Sequence, residues 1–261
     1  MSLREAVITW CCSFTNKADK AAPTPELAPT IKYFLQSLIF MYFRFSNSPS
    51  SQLFMEENDK HKLLSEYLSR FVSDHKKEFV EKVLDQRTRH ITMVLEDIYQ
   101  SQNASAVIRT CECMGIQDVH IIENDSNYTV NRRVLKGSYK WVDLIRHKGK
   151  HRNNTEACYE QLKAQGYKIA ATDPSPEGVS IHEVSVKDKI AIVMGNELHG
   201  TSSYALDHAD MKVRIPMYGF TESLNISVSA AICLNTLVPS LRNDEVPWQL
   251  TETEKAEIRL R

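Results

Sequence analysis

The sequence predicts an α/β fold in which a mostly parallel sheet is flanked by helices. Short apolar runs rich in β-branched residues alternate along the chain with longer segments whose apolar residues recur at helical spacing. One run, residues 190–194, is cut off by Gly195-Asn196-Glu197, and open α/β sheets bind their ligands at that end of a strand. The chain has 261 residues, which is enough for one domain with further segments at its ends.

The composition divides the chain into four parts. Residues 1–54 carry three prolines between Ala21 and Thr30 and a linker rich in Ser, Asn and Pro before Met55. We interpret them as disordered or as an over-extended reading frame whose natural start is Met55; the rival interpretation is a membrane-surface anchor. The apolar stretch within them is shorter than the about 20 residues that span a bilayer. We expect a helical extension at 55–88, the main domain at 89–242 and a second helical extension at 243–261.

The first half of the chain begins with helices and continues with alternating strands and helices. Apolar residues at helical spacing predict two helices within residues 60–87, with Asp74 as the cap of the second. The pattern then predicts a strand at 91–95, a helix from Asn103 to Gly115, a strand at 118–123, and a short helix or loop at 128–134.

The second half continues this alternation. The pattern predicts strands at 141–145, 167–172, 190–194 and 211–215, and helices at 155–166, 226–237 and 251–260. We expect Trp141 to lie in the core, and Thr251 to open the last helix with Glu254 as its capping box. The helix at 226–237 is apolar on nearly every side, which predicts a place in the core or at a subunit interface.

The charge of the chain limits how it can bind nucleic acid. The net charge of −1 provides no overall attraction to phosphates, so any RNA-binding surface has to be local. Residues 132–152 form the best candidate, because they are strongly basic and Tyr139 and Trp141 are interleaved with the basic residues. For the basic residues of the N-terminal helices, a solvated face is an equal alternative. The candidate RNA-binding residues are Arg132, Arg133, Lys136, Lys140, Lys76 and Lys77.

The cysteines and glycines exclude several kinds of site. The six cysteines show neither a CxxC pair nor the spacing of zinc ligands, which favours reduced thiols in a cytoplasmic protein, and we expect no metal. The glycine-rich loops GxGxxG and GxxxxGK[ST] do not occur in the sequence. A nucleotide-like cofactor would therefore need a different kind of site.

Polar residues are concentrated in the loops after the strands at 190–194 and 211–215. Polar groups between buried elements cost free energy unless they bind something. Ser223 or Asn225 can cap the helix that follows. The polar residues of these loops are Asn196, Glu197, His199, Glu222, Ser223 and Asn225.

Three segments resemble the motifs of one protein family. They are NASAVIRT at 103–110, GNELHG at 195–200 and IPMYGFTESLNISVSAA at 215–231. In this order they resemble the SPOUT-class RNA 2′-O-ribose methyltransferases of the SpoU type, closest to the branch that methylates a guanosine in tRNA. The resemblance covers residue 65 to the C-terminus. It implies a C-terminal trefoil knot, S-adenosylmethionine bound in the loops of the knot, and a two-fold homodimer.

The resemblance also implies roles for individual residues. It implies donor binding at Thr172, Gly195, Ile215 and Leu224, and catalysis by Arg109, Asn103, Glu197, Ser223 and Asn225. In the family, the arginine at the position of Arg109 is proposed to act on the 2′-hydroxyl, facing a donor bound by the other subunit. Because free arginine has a pKa of about 12.5 or higher, we prefer that Arg109 orients a phosphate and stabilises the developing alkoxide. Ser101 departs from the family, which usually has proline at this position.

These expectations lead to one function and two rivals. We expect S-adenosylmethionine-dependent 2′-O-methylation of a guanosine in the D-loop of tRNA, in the cytoplasm and without a membrane partner. The first rival is a 2′-O-methyltransferase for ribosomal RNA or another tRNA nucleotide, and the second is an RNA-binding relative without catalysis. The sequence leaves open which tRNA species are modified, the affinity for the donor, and whether Arg109 is the base or an electrostatic stabiliser.

Overall fold

A computed structural model of the chain describes residues 65–149 and 153–260. Within them, seven parallel strands form one sheet with the order β3-β2-β1-β6-β4-β7-β5. The carboxyl ends of parallel strands lie at the same edge of a sheet, so the loops that follow the strands meet there. The strands are β1 (Ile91–Glu96), β2 (Asp118–Ile122), β3 (Asp143–His147), β4 (Tyr167–Thr172), β5 (Val179–Ser180), β6 (Lys189–Met194) and β7 (Met211–Arg214).

Helices connect these strands and cover the sheet. Residues 65–69 are also helical, and 3₁₀ turns lie at Ser138–Lys140 and Ile181–Glu183. The α/β class predicted from the sequence is confirmed. The helices are α1 (Asp74–Leu84), α2 (Ser101–Cys113), α3 (Arg132–Leu135), α4 (Asn154–Ala164), α5 (Ser203–His208), α6 (Ile226–Asn243) and α7 (Glu252–Arg259).

The sheet is buried on both faces. On one face, α2 and α6 contribute residues such as Val107 and Leu234 to a layer that contains Met93 of β1. On the other face, Leu162 of α4 packs in a layer with Val94 of the same strand. Burial on both faces explains why the central strands are apolar at consecutive positions instead of alternating with polar residues.

The prediction that Trp141 lies in the core is wrong. Strand β3 begins only at Asp143, and Trp141 ends the preceding 3₁₀ turn with 38% of its surface exposed. Contact with the interior is made by the backbone of Trp141, whose carbonyl accepts a hydrogen bond of 2.8 Å from the buried Arg87. Val142 is the buried residue at this point.

Helix α6 is longer than the sequence predicts, and it is not buried on every side in the single chain. It continues through Pro239 to Asn243, although a proline inside a helix removes one backbone hydrogen bond. Val228 near its start is 45% exposed, whereas Ala230 and Cys233 are fully buried. One flank of the helix therefore faces outwards in the single chain.

The first and last labelled helices, α1 and α7, pack together. A small apolar cluster contains Leu84 of α1, Ile258 of α7 and Leu250, which precedes α7. Ion pairs flank this cluster, with Arg259 binding Glu81 at 2.5 Å and Lys255 binding Asp85 at 2.8 Å. The capping box of Thr251 and Glu254 is present as predicted, whereas the N-cap of α1 is Ser73 and Asp74 is its first residue.

Some sequence predictions are not tested by this fold. Those for residues 1–54 lie outside the described residues. The division into four parts and the trefoil knot remain predictions. No helix in the part of the chain that the structure describes is long and apolar enough to cross a membrane.

Candidate active site

The polar loops meet at the carboxyl-terminal edge of the sheet. Because β1 and β6 are neighbours, the segment after β1 lies beside the segment after β6. The second segment folds back on itself through backbone hydrogen bonds between Asn196 and Gly200, of 2.9 and 2.8 Å. A Cβ atom on Gly195 would overlap with the backbone of Gly200 and Thr201, so only glycine fits at the end of β6.

Three of the predicted catalytic residues form one hydrogen-bonded group. The Asn103 amide donates to the Glu197 carboxylate at 2.9 Å, and the Asn225 amide donates to Asn103 Oδ1 at 3.2 Å. Glu197 also accepts from the backbone N–H groups of Tyr99 and Gln100, at 2.9 and 3.2 Å. Glu197 therefore joins the start of α2 to the loop after β6.

Asn225 combines this contact with a structural role. Its Oδ1 accepts from the backbone N–H of Ser227 at 2.9 Å and from the Ser227 hydroxyl at 2.6 Å, which makes Asn225 the N-cap of α6. Of the two caps that the sequence allowed, the structure uses Asn225. Ser223 lies exposed in the preceding loop, and its side chain makes no hydrogen bond among the described residues.

Arg109 is exposed on α2 and does not join this group. Within residues 65–149 and 153–260 it forms neither an ion pair nor a side-chain hydrogen bond. It lies six residues after Asn103, which is about 9 Å along the helix axis and about 120° around it. The guanidinium is therefore available to an external anion, on a different face of α2 from the Asn103 amide.

The predicted donor-binding residues surround the same edge. Thr172 ends β4, Gly195 follows β6 and Ile215 follows β7, and these three strands are neighbours in the sheet. The Thr172 hydroxyl donates to the carbonyl of Val193 at 2.8 Å. The Thr172 carbonyl in turn accepts from the Thr201 hydroxyl at 2.7 Å. Leu224 is 39% exposed next to Asn225.

Some of the candidate RNA-binding residues share one surface. Arg132 and Arg133 line a shallow depression together with Ser101 and residues 129–131, beside the start of α2. The Arg132 guanidinium lies over the ring of Tyr139 at 5.9 Å. Lys136 and Lys140 are exposed nearby in sequence, and Lys76 is exposed on α1, where Lys77 forms an ion pair with Asp74 at 2.8 Å.

Arg146, in the same basic segment, has a structural role. It binds the Glu123 carboxylate with two hydrogen bonds, of 2.8 and 2.6 Å. Burial of Glu123 opposes its ionisation, but the hydrogen bonds from Arg146 and from the backbone of Tyr128 outweigh burial and lower its pKa. Arg146 is therefore engaged within the fold, and the candidate RNA-binding surface is smaller than the run of charges suggests.

The structure adds Asp97, which sequence reasoning did not select. Asp97 has a φ of 49°, and its Oδ1 accepts from three backbone N–H groups. Its carbonyl accepts from the Asn196 amide at 2.6 Å. The available signal was its position, since Asp97 directly follows a buried strand at the ligand-binding edge.

A second polar cluster is buried under α4. The possible metal-binding atoms of His120, His147 and Cys158 all lie within 4.8 Å of one another. His120 Nδ1 and His147 Nε2 are 3.0 Å apart, with the ring centroids 5.3 Å apart and the planes at 13°. These values place the two nitrogens on the line between the rings, which is the geometry of a hydrogen bond. An ion bound to both at about 2.0 Å would lie off both lone-pair directions, so this geometry does not fit a metal.

Comparison with known proteins identifies relatives across most of the chain. Residues 90–235 match the family described as SpoU rRNA methylases. A curated tRNA (guanosine(18)-2′-O)-methyltransferase of Borreliella burgdorferi is 45% identical over 194 residues, which are 74% of this chain and 87% of that relative.

Solved structures agree with this result. A TrmH/SpoU tRNA modifying enzyme of A. aeolicus superposes with a TM-score of 0.62 and 28% identity, covering 76% of this chain and 94% of that one. The AdoMet-bound rRNA methyltransferase of Sinorhizobium meliloti shares the fold, with a TM-score of 0.51 and 22% identity over 60% of this chain and 58% of that one.

Proposed function

Because this chain belongs to the SpoU RNA methylase family, we propose that it transfers a methyl group from S-adenosylmethionine to the 2′-hydroxyl of guanosine 18 in the D-loop of tRNA. The observation that carries the proposal is the 45% identity to a tRNA (guanosine(18)-2′-O)-methyltransferase over 87% of that enzyme. All five proposed catalytic residues are present, and three of them are hydrogen-bonded to one another at the ligand-binding edge of the sheet.

We assign the donor to the loops at the ends of β4, β6 and β7. The loop residues Thr172, Gly195, Ile215 and Leu224 offer backbone groups for the adenine and apolar side chains to hold it. S-Adenosylmethionine supplies the methyl group on a sulfonium centre. The residues Asn103, Glu197 and Asn225 keep these loops and the start of α2 in a fixed relation, which favours an in-line approach of the ribose hydroxyl.

Arg109 is the proposed charge-stabilising residue. Its guanidinium has no anionic partner among the described residues and is therefore free to hold a phosphate of the RNA. A charged guanidinium stabilises negative charge on the 2′-oxygen as its proton leaves, and we assign the proton to the substrate phosphate. Ser223, exposed in the loop before α6, is assigned to contact the donor or the ribose.

The proposal includes a two-fold homodimer. Arg109 and Asn103 lie on different faces of α2, which suits an arrangement in which Arg109 serves a donor bound by the partner subunit. Exposed apolar residues close to the site support such an interface: Leu198, Tyr218, Phe220, Leu224 and Val228. Light scattering of the purified protein tests this part, and a monomer that retains full activity would contradict it.

We assign tRNA contact to the basic residues beside the start of α2 and on α1. The proposed contacts are Arg132, Arg133, Lys136, Lys140, Lys76 and Lys77. Phosphates of the RNA would be neutralised there, and Tyr139 lies under Arg132 at the same surface. With reduced thiols and a tRNA substrate, the proposed compartment is the cytoplasm.

The decisive experiment maps ribose methylation in bulk tRNA and ribosomal RNA after incubation with the protein and S-adenosylmethionine. We expect new 2′-O-methylguanosine at position 18 of tRNA. Methylation of ribosomal RNA or of another tRNA nucleotide would replace the substrate and keep the reaction, whereas donor binding without any methylation would favour the non-catalytic rival.

A matched pair of variants tests the assigned residue. We expect Arg109→Ala to lower kcat by about 100-fold or more, as for other groups that stabilise a developing oxyanion, while the affinity for the donor is retained. Lys168→Ala removes an exposed positive charge at the amino-terminal end of β4 and serves as the control. An Arg109→Ala protein with the kcat of the unmodified enzyme would contradict the assignment.

A further inference from the structure

Asp97 occupies an unusual conformation at the edge of the sheet that carries the site. Its φ of 49° lies in the left-handed region, which residues other than glycine rarely adopt, although Asp and Asn tolerate it best. It follows directly on β1, so this conformation turns the chain as it leaves the buried strand. Backbone strain of this kind persists only where the surrounding contacts hold it in place.

The side chain of Asp97 provides these contacts. Its Oδ1 accepts from the backbone N–H groups of Asn124, Asp125 and Ser126, at 2.7, 2.9 and 3.1 Å. Three donors on one carboxylate oxygen fix the loop after β2 against the turn after β1. The backbone N–H of Asp97 also donates to the carbonyl of Ile122 at 3.0 Å, which continues the pairing of β1 and β2 by one residue.

The backbone carbonyl of Asp97 is turned towards the loop after β6. It accepts from the Asn196 amide at 2.6 Å, across 99 residues of sequence. Oδ1 of Asn196 accepts in turn from the backbone N–H groups of Leu198 and His199, at 2.8 and 3.3 Å. Asn196 is therefore held at both ends of its side chain, and Glu197 follows it directly in the chain.

We propose that Asp97 and Asn196 are positioning residues. Their hydrogen bond holds the loop after β6 against the turn after β1 and so keeps Glu197 within hydrogen-bond distance of Asn103. We call this pair the loop latch. The inference rests on the proposed function, since it gives Asp97 a role at the same site. The residues that follow each member of the latch are those that meet in the site: Tyr99, Gln100 and Asn103 on one side and Glu197 on the other.

Variants at position 97 separate the effect of the left-handed backbone conformation from the effect of the side-chain acceptor oxygen. Asp97→Asn keeps an acceptor oxygen and tolerates the left-handed conformation, so we expect its kcat to stay within about threefold of the unmodified enzyme. Asp97→Gly keeps the conformation but loses the acceptor, and Asp97→Ala loses both. Because small displacements of positioned groups lower rates by up to about 100-fold, we expect kcat to fall at least tenfold in Asp97→Ala and by an intermediate factor in Asp97→Gly.

The control is Asp125→Ala, which removes the same charge from the loop after β2 that Asp97 binds. The Asp125 side chain is exposed and makes no hydrogen bond among the described residues. We expect this variant to keep the kcat and KM of the unmodified enzyme. A loss of kcat equal to that of Asp97→Ala would show that charge near the loop matters instead of the latch.

Hydrogen exchange tests the latch independently of activity. We expect Asp97→Ala to increase amide exchange in residues 122–126 and in residues 195–200, whereas Asp125→Ala leaves exchange in residues 195–200 unchanged. Unchanged exchange of residues 195–200 in Asp97→Ala would overturn the inference. If exchange increases but no variant and no unmodified protein methylates RNA, the proposed function fails and the latch stands.

A double variant completes the test. Asn196→Ala removes the second half of the latch, so we expect the Asp97→Ala/Asn196→Ala protein to lose little more kcat than Asn196→Ala alone. Losses that multiply would mean that the two residues act separately. Donor affinity measured by calorimetry distinguishes a displaced Glu197, which lowers kcat, from a collapsed donor loop, which raises the Kd.

Discussion

Gly195 shows how closely the backbone approaches itself at the proposed site. A Cβ atom there would overlap with Gly200 and Thr201, which belong to the same folded-back loop, so a larger residue has to push this loop away from the end of β6. We expect Gly195→Ala to raise the Kd for S-adenosylmethionine at least tenfold, because the loop backbone forms part of the proposed donor site. Isothermal titration calorimetry measures this change.

The control for this prediction lies at the opposite end of β4. Gly166 has a φ of 83° and open space where a Cβ would be, so alanine there strains the backbone without touching a neighbour. Gly166→Ala is expected to lower the free energy of unfolding by about 1 kcal/mol and to leave the Kd for the donor unchanged. Equal effects of both variants on the Kd would refute a local role of Gly195.

The buried pair of His120 and His147 predicts acid sensitivity. Burial, and secondarily the proximity of His147, lower the pKa of His120 to about 3. In the unfolded chain the pKa is about 6.5, so the unfolded chain takes up a proton that the folded chain does not. The free energy of unfolding therefore falls as the pH drops from about 6.5 towards 3, by at most about 1.4 kcal/mol per pH unit.

Urea unfolding at a series of pH values between 7.5 and 5 checks this dependence. We expect the slope of stability against pH to be smaller in His120→Gln, which has no titrating group at this position. The exposed His182 provides the control, and His182→Gln should keep the slope of the unmodified protein. Identical slopes in all three proteins would mean that other groups cause the acid sensitivity.

At the scale of elements, α6 connects the site to the core. Its N-cap Asn225 is also the residue that donates to Asn103, and its buried face packs in the same layer as α2. The start of the helix therefore belongs to the proposed site, and its body packs in the core. The apolar pattern predicted a place in the core or at a subunit interface: Ala230 and Cys233 lie in the core, and Val228 is 45% exposed in the single chain.

Substitutions of Asn225 separate these two roles. Asp is as good an N-cap as Asn, but it cannot donate to Asn103. We expect Asn225→Asp to keep the melting temperature and to lower kcat at least tenfold, and Asn225→Ala to lower kcat similarly while also losing about 1 kcal/mol of stability. Calorimetric melting and methyl-transfer kinetics measure the two effects, and an Asn225→Asp enzyme of full activity would contradict a catalytic role.

At the scale of the whole molecule, a chain of net charge −1 binds RNA only through a local surface. The proposed surface contains Arg132, Arg133 and Lys136, whereas Arg146 is bound to Glu123. We expect the triple variant Arg132→Ala/Arg133→Ala/Lys136→Ala to reduce the slope of log K against log salt concentration for tRNA binding by between about 2 and about 3, which is about one per lost phosphate contact.

Filter binding at several salt concentrations gives this slope. Two single variants are the controls. Arg146→Ala removes a positive charge that is paired with Glu123. Lys168→Ala removes one that is paired with Asp188 at the amino-terminal ends of the strands. A slope that changes as much in either control as in the triple variant would place the RNA surface elsewhere.

The sequence alone determined the fold class and most strands and helices, and it selected the candidate site residues. Apolar runs predicted β1, β4 and β6 almost to the residue, because strands buried on both faces are apolar at most consecutive positions. Asn103, Arg109, Glu197, Ser223 and Asn225 were selected because three motifs in order resemble those of a known family, and such a resemblance is visible without coordinates.

The tertiary structure decided how these residues meet and which charges remain available. Trp141 was misplaced because an aromatic residue beside an apolar run has the same pattern in a turn as in a strand. Asp97 was missed because its role depends on a left-handed backbone and on partners 27 to 99 residues away. Long-range hydrogen bonds of this kind leave no periodic signal in a sequence, so only the packing of β1 between β2 and β6 revealed them.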